Sequence, residues 1–236
     1  MKRNSLICTL LLTLTLGSFS GHAALITDNF DSYTAGTDIV TAGTPKGWLA
    51  GNGVISNAQS VSGPNSLYLG VANANAVAYG INNGTAIPTN DPRTWRFSYS
   101  TRLTATNSAA GFYIGSSFLI YTVSGKFQVD GVTSSVSTNS FAANTWYSVV
   151  VDFAPLANTY SLTISDGNSI FWSAAGAVQD GAFNTIQAKN MAYSVGGAYF
   201  DNVALAVIPE PASMVLLGAG AVFLAFRRCR RSSVSQ

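Results

Sequence analysis

Between Leu25 and Val207 the only carboxylates are nine aspartates, Asp28, Asp31, Asp38, Asp91, Asp130, Asp152, Asp166, Asp180 and Asp201, with no His, Cys or Glu beside them. That inventory limits the chemistry. A nucleophilic triad needs a base that accepts a proton near neutral pH, usually histidine. Zinc sites built from His and Cys are excluded for the same reason. Aspartates can still work in pairs on a glycosidic bond, one as acid and one as nucleophile. They can also supply hard oxygen donors to Ca2+. Asp28, Asp31 and Asp201 are the candidate calcium ligands, because they lie near the two ends of the segment, which packed sheets often bring into adjacent strands. The competing reading is that Asp28-Asn29 and Asp201-Asn202 only make side-chain turns to their own backbone.

Binding a sugar requires other residues, aromatic faces together with amides. Trp48, in Pro45-Lys46-Gly47-Trp48, and Trp172, close to the Asp166-Gly167 turn, are the candidates for carbohydrate binding. Trp95 and Trp146 read as core from the alternation around them. Against the nine aspartates of this segment stand six cations, Lys46, Arg93, Arg96, Arg102, Lys126 and Lys189, for a net charge of −3. The whole-chain value of +2 comes from the two ends. Nucleic acid would want a basic face on the folded part, so no nucleic-acid partner is expected.

The elements that must position these residues are strands. Trp95, Phe97, Tyr99 and Leu103 alternate with Arg96, Ser98, Ser100 and Arg102, which is the two-residue period of a sheet packed on one side. Phe118 to Val123 runs through Ser124-Gly125 into Lys126 to Val129, which predicts a hairpin. Trp146 to Phe153, Tyr160 to Ile164 and Ile170 to Trp172 follow, and Tyr199 to Val207 closes the segment. Ser66 to Leu69 and Ala76 to Ile81 supply earlier strands. About ten short strands and no helix are expected between the two ends of the chain, so the fold class is an all-β antiparallel sandwich or jelly roll, flanked by an N-terminal signal helix and a C-terminal transmembrane helix. With no disulfide to form inside it, the domain must hold together by core burial, and about 180 residues suffice for that.

Both ends read as addresses rather than structure. Lys2 and Arg3, the apolar run Leu6 to Leu16 and the small residues around Ala23 make a secretory signal cleaved after Ala23. The secretion translocon is then a partner, and His22 and Cys8 leave with the signal. At the other end Pro209-Glu210-Pro211 precedes an apolar run, Met214 to Phe226, and then Arg227, Arg228, Arg230 and Arg231. The prolines hold an extended spacer. A helix over the run reaches about 20 Å, short of a bilayer core of about 30 Å, so it is a marginal anchor. The four arginines stay cytoplasmic and set its orientation. The expected organisation is signal 1–23, β-sandwich 24–207, sorting motif and linker 208–213, transmembrane helix 214–226 and cytoplasmic tail 227–236.

Two resemblances follow from these residues. The tail resembles the PEP-CTERM sorting signal of Gram-negative bacteria, with Ile208 where valine is common. That implies cleavage by an exosortase and delivery of the chain from the inner membrane to the cell surface or extracellular matrix. Asp28-Asn29-Phe30-Asp31-Ser32-Tyr33, the paired runs Trp146 to Phe153 and Tyr160 to Ile164 with Asp166-Gly167, and Phe200-Asp201-Asn202-Val203 resemble laminin-G-like and concanavalin A-like jelly-roll domains. The glutamate-centred catalytic strand of jelly-roll glucanases has no counterpart here. A noncatalytic surface or matrix protein that binds exopolysaccharide is therefore expected, with structural calcium as the one cofactor to consider. Its rivals are a structural or adhesive protein without a sugar ligand and an Asp-based polysaccharide hydrolase.

Overall fold

The computed structural model describes residues 24–43, 47–70, 76–80, 87–115, 118–167, 169–178, 183, 185–191 and 194–208. The signal segment, Pro209-Glu210-Pro211, the apolar run and Arg227, Arg228, Arg230 and Arg231 lie outside the described residues. No helix among those described is long and apolar enough to cross a membrane.

Residues Ala24–Val207 form one compact unit. In chain order its strands are β1 (Ala24–Asp28), β2 (Trp48–Gly51), β3 (Val54–Ser56), β4 (Ser66–Leu69), β5 (Ala76–Gly80), β6 (Thr94–Leu103), β7 (Ala110–Ile114) and β8 (Phe118–Val123). They continue as β9 (Lys126–Asp130), β10 (Ser134–Val136), β11 (Trp146–Ala154), β12 (Thr159–Ser165), β13 (Ile170–Ala177), β14 (Thr185–Asn190) and β15 (Ala198–Ile208). The first sheet has the order β13-β12-β11-β6-β15-β4-β3, with β1 also on β15, and the second β10-β9-β8-β7-β14-β5-β2. Their ladders are antiparallel.

The long strands behave as their alternation requires. Trp95, Phe97, Tyr99 and Leu103 of β6 face the core, as do Tyr147, Val149, Val151 and Phe153 of β11. Ring contacts join the two layers: Phe112 of the second sheet meets Phe97 at 5.2 Å and Phe200 at 5.0 Å, both edge to face. Burial of each such ring contributes about 1.5–3 kcal/mol. Ser100 is buried although its neighbours Ser98 and Arg102 are only partly covered, because β6 is a central strand. Trp146 is a correction. It precedes the inward set of β11 by one residue, so it lies half-buried on the outer face, opposite Arg102.

Turns decide where the strands meet. Ser124 (φ 50°) and Gly125 (φ 80°) both sit in the left-handed region between β8 and β9, the geometry of a two-residue hairpin that follows the sheet's twist. A helical turn the alternation did not announce, α1 (Ile39–Gly43), starts at Asp38. The Asp38 carboxylate accepts from the N–H groups of Val40 (2.9 Å) and Thr41 (3.3 Å), which is ordinary N-cap chemistry.

Candidate functional site

The two ends of the sandwich do meet, since β1 pairs with β15 and places Asp28 opposite Val203. Asp28 is 2% exposed. Its carboxylate accepts from the Phe30 N–H (3.0 Å), the Tyr33 hydroxyl (2.5 Å) and the Trp48 indole N–H (2.8 Å). Phe30 holds φ 61°, an uncommon state for a bulky residue. It is kept there by that bond and by ring contacts with Tyr33 and Trp48 at 6.2 and 5.8 Å. Two residues singled out by sequence thus come together, Asp28 and Trp48, as a core staple. Trp48 is fully buried and offers no face to a sugar, which corrects its assignment as a carbohydrate contact. Its pairing with Asp28 spans twenty residues and had no local signal.

Asp201 lies where β15 changes partner from β4 to β1. Asn202 (φ 51°) breaks the alternation there, so Phe200 and Asp201 are both buried. The Asp201 carboxylate accepts from the N–H groups of Val61 (2.9 Å), Ser62 (3.2 Å) and Asn202 (2.7 Å). Burial pushes its pKa up, and nearby Asp31 adds to the rise. Asp31 accepts from the Asn29 amide (2.6 Å) and the Asn65 N–H (3.2 Å). Gly63 packs so close that a Cβ there would fall 2.0 Å from an Asp31 oxygen. The three aspartates share a corner and spend their oxygens on N–H and O–H donors from the segments they tie together. Among the described residues no group of three or more His, Cys, Asp or Glu is arranged to hold a metal ion.

Trp172 faces inward at the rim of the first sheet, half-buried against the core. It stands opposite Ile164, while Ile170 stands opposite Ser165, leaving Phe171 as an extra bulged residue. Phe171 then turns inward as well, onto Phe127 and Tyr147.

The outer face of the second sheet carries a different set. One row across it reads Lys189, Gly111, Tyr121, Gln128 and Val136, each opposite the next. The adjacent row reads Gln187, Tyr113, Leu119, Asp130 and Ser134. Neighbouring strands lie about 4.8 Å apart, so both tyrosines fall within one small patch. The long side chains lie down on one another and are half-buried. The Lys189 ammonium sits 5.3 Å from the Tyr113 ring centre, and the Gln128 amide donates to Asp130 at 2.8 Å. Burial opposes ionisation of Asp130, but hydrogen bonds from Gln128, Ser134 and Tyr121 outweigh it and hold the carboxyl below its usual range.

Gly111 gives this face its shape. A Cβ there would stand 2.0 Å from the Ile120 carbonyl oxygen, so the backbone of β8 takes the place a side chain would fill, and the row carries no side chain between Lys189 and Tyr121. Aromatic rings beside fixed amide, carboxylate and ammonium groups can stack on apolar C–H faces and hydrogen-bond to hydroxyls. Sequence reasoning missed all of these residues. Tyr121 opposite Gln128 was legible from the β8–β9 hairpin. Tyr113, Gln187 and Lys189 sit on short strands, far apart in the chain, without an alternation long enough to read.

Residues 207–231 match the PEP-CTERM protein-sorting motif. The chain is thereby marked as an exported, exosortase-processed cell-surface protein. No curated protein sequence matches it. Among solved structures, a conserved carbohydrate esterase of the Shiga toxin-encoding bacteriophage phi24B is similar with TM-score 0.56 and 13% identity, over 80% of this chain and 100% of that one. The lectin UEA-II complexed with galactose gives TM-score 0.54 and 9% identity, over 79% and 100%. The binding domain of Paraclostridial Mosquitocidal Protein 1 gives TM-score 0.54 and 8% identity, over 83% of this chain and 51% of that one. Identities this low establish the fold alone. The antiparallel two-sheet sandwich resembles lectin and concanavalin A-like domains, as the sequence resemblance implied.

Proposed function

We propose that this exported, exosortase-sorted chain is a noncatalytic component of the cell surface or extracellular matrix that binds exopolysaccharide through the outer face of its second sheet. One observation carries the reading: Tyr113, Tyr121, Gln128, Gln187 and Lys189 share that face. A polysaccharide asks for this combination of ring faces and fixed polar groups. The UEA-II lectin, similar in fold, is seen complexed with galactose, which agrees with a sugar as ligand without naming one here.

The noncatalytic half rests on where the carboxylates stand. Hydrolysis needs two of them flanking a substrate bond, one with a raised pKa to act as acid. Asp201 has the raised value but is fully buried. Asp130, on the open face, is held toward its ionised form, and Asp152 is tied by the Arg96 guanidinium at 2.7 Å.

Affinity electrophoresis of the exported protein through gels containing the host's exopolysaccharide tests the reading. Wild-type mobility falls as polysaccharide is added, while Tyr113→Ala and Tyr121→Ala each bind about tenfold more weakly, equivalent to roughly 1.4 kcal/mol. No retardation of wild type, or retardation unchanged in both variants, refutes it and favours a structural or adhesive role. Release of reducing ends in the same samples refutes the noncatalytic half.

A further inference from the structure

The outer face of the first sheet carries a file of large side chains. Tyr68 stands opposite Tyr199 across β4 and β15, and Val54 of β3 stands opposite Tyr68. Trp146 stands opposite Arg102 across β11 and β6. One bond joins these pairs: the Thr104 N–H donates to the Gly197 carbonyl at 3.0 Å, just past the end of β6 and just before the start of β15. The bonds of an antiparallel ladder link residues that face each other, and β6 and β15 are neighbours. Two residues further along each strand, Arg102 therefore faces Tyr199. Val54, Tyr68, Tyr199, Arg102 and Trp146 thus form a line across β3, β4, β15, β6 and β11. From Tyr68 to Trp146 it spans about 14 Å at the usual strand spacing.

The two tyrosine rings lie against each other, centres 4.7 Å apart, and every member of the line is at least partly exposed. Its flanks are small. Thr104 and Gly197 lie on one side, and on the other Ser100 faces Ser148. A line one side chain wide between low shoulders fits a thin extended polymer laid across the strands better than a folded partner, which covers about 800 Å² of each surface.

Arg102 sets the charge of that polymer. Arg93 is tied to Asp91 and Arg96 to Asp152, but Arg102 spends only its Nε, on the Asn144 carbonyl at 3.0 Å. Neither terminal nitrogen meets an acceptor among the described residues. The one bond steadies the planar guanidinium and leaves Nη1 and Nη2 as an end-on pair of donors for a carboxylate. Ser98, Ser100 and Ser148 nearby carry no charge, and Arg96 neutralises Asp152.

We propose that this line binds a linear polysaccharide bearing carboxylates, with Arg102 on a carboxylate and the rings of Tyr199 and Trp146 against the sugars on either side of it. Aromatic rings stack on the apolar C–H faces of sugars, and the guanidinium supplies the selectivity for acidic ones. The line lies on the opposite sheet from Tyr113 and Tyr121, so it does not rest on sugar binding there.

Affinity electrophoresis of the exported, processed protein through gels containing polygalacturonate, which carries a carboxylate on each sugar, tests this. Y113A/Y121A, which disables the other face, is still slowed by the polymer. Adding Arg102→Gln or Tyr199→Ala weakens retention about tenfold in each case, the scale of a lost charge-assisted hydrogen bond or stacked ring. Both side chains lie on the outer face, so neither substitution opens the core. Raised salt weakens retention, and the same polymer with its carboxylates reduced to alcohols gives little. Free passage of Y113A/Y121A, retention unchanged by Arg102→Gln, or equal retention by the reduced polymer overturns the proposal. Equal retention by polyglutamate overturns it too, because charge alone would then be read. Loss of the sugar site on the second sheet leaves these outcomes as they are.

Discussion

Replacing Trp48 by phenylalanine separates a structural role from a ligand-binding one. The indole N–H donates to a carboxylate that is 2% exposed, at 2.8 Å. Losing a hydrogen bond to a charged group of this kind costs about 1.5–3 kcal/mol. The smaller ring also leaves roughly 40 Å³ unfilled, worth about 1 kcal/mol at the usual cost per unit of cavity volume. Together Trp48→Phe should cost about 3 kcal/mol, or about 6–12 °C in Tm for a domain of this size. Urea titration with calorimetry on the exported protein reads the change, and affinity electrophoresis well below the melt reads sugar retention. We expect the stability loss in full with retention unaltered. A variant as stable as wild type within about 0.5 kcal/mol, the ordinary scatter of surface substitutions, would refute the staple. So would a stable variant that no longer binds polysaccharide.

Three further outcomes are expected. Asp91 accepts from the Arg93 guanidinium at 2.6 Å, which holds its carboxyl below the usual range. A lowered folded-state pKa contributes stability that is present above the unfolded value of about 3.9 and is lost as pH falls through the folded one. Asp91→Asn therefore costs about 1–2 kcal/mol at pH 7, discounted because Arg93 is exposed, and flattens the acid limb of the stability curve; an unchanged limb counts against this. Because Asp28, Asp31 and Asp201 already accept from protein donors, the thermal melt should not move with excess chelator, and a clear fall in Tm would restore calcium at that corner. Intact-mass analysis of surface-localised protein should find the tail after the sorting motif removed. Recovery of chains still ending beyond Arg231 would contradict exosortase processing.

What could be read from the chain alone was whatever a short window carries. The sorting tail is linear: Pro209-Glu210-Pro211, an apolar run and four arginines are recognised in sequence order, and residues 207–231 match the motif as a continuous stretch. The inward face of β6 was legible because alternation over about ten residues allows one register. The β8–β9 hairpin was legible because Ser124-Gly125 dictates which residues face each other. Tertiary pairing decided the rest. Trp48 looked like a surface aromatic until its indole met Asp28, and Trp146 looked like core until β11 turned it outward. The face built from Tyr113, Tyr121, Gln187 and Lys189 exists only because β14 comes back to lie beside β7. The period of a strand says which side chains share a face, but the neighbour that completes the face is chosen by how distant strands pack around a common core.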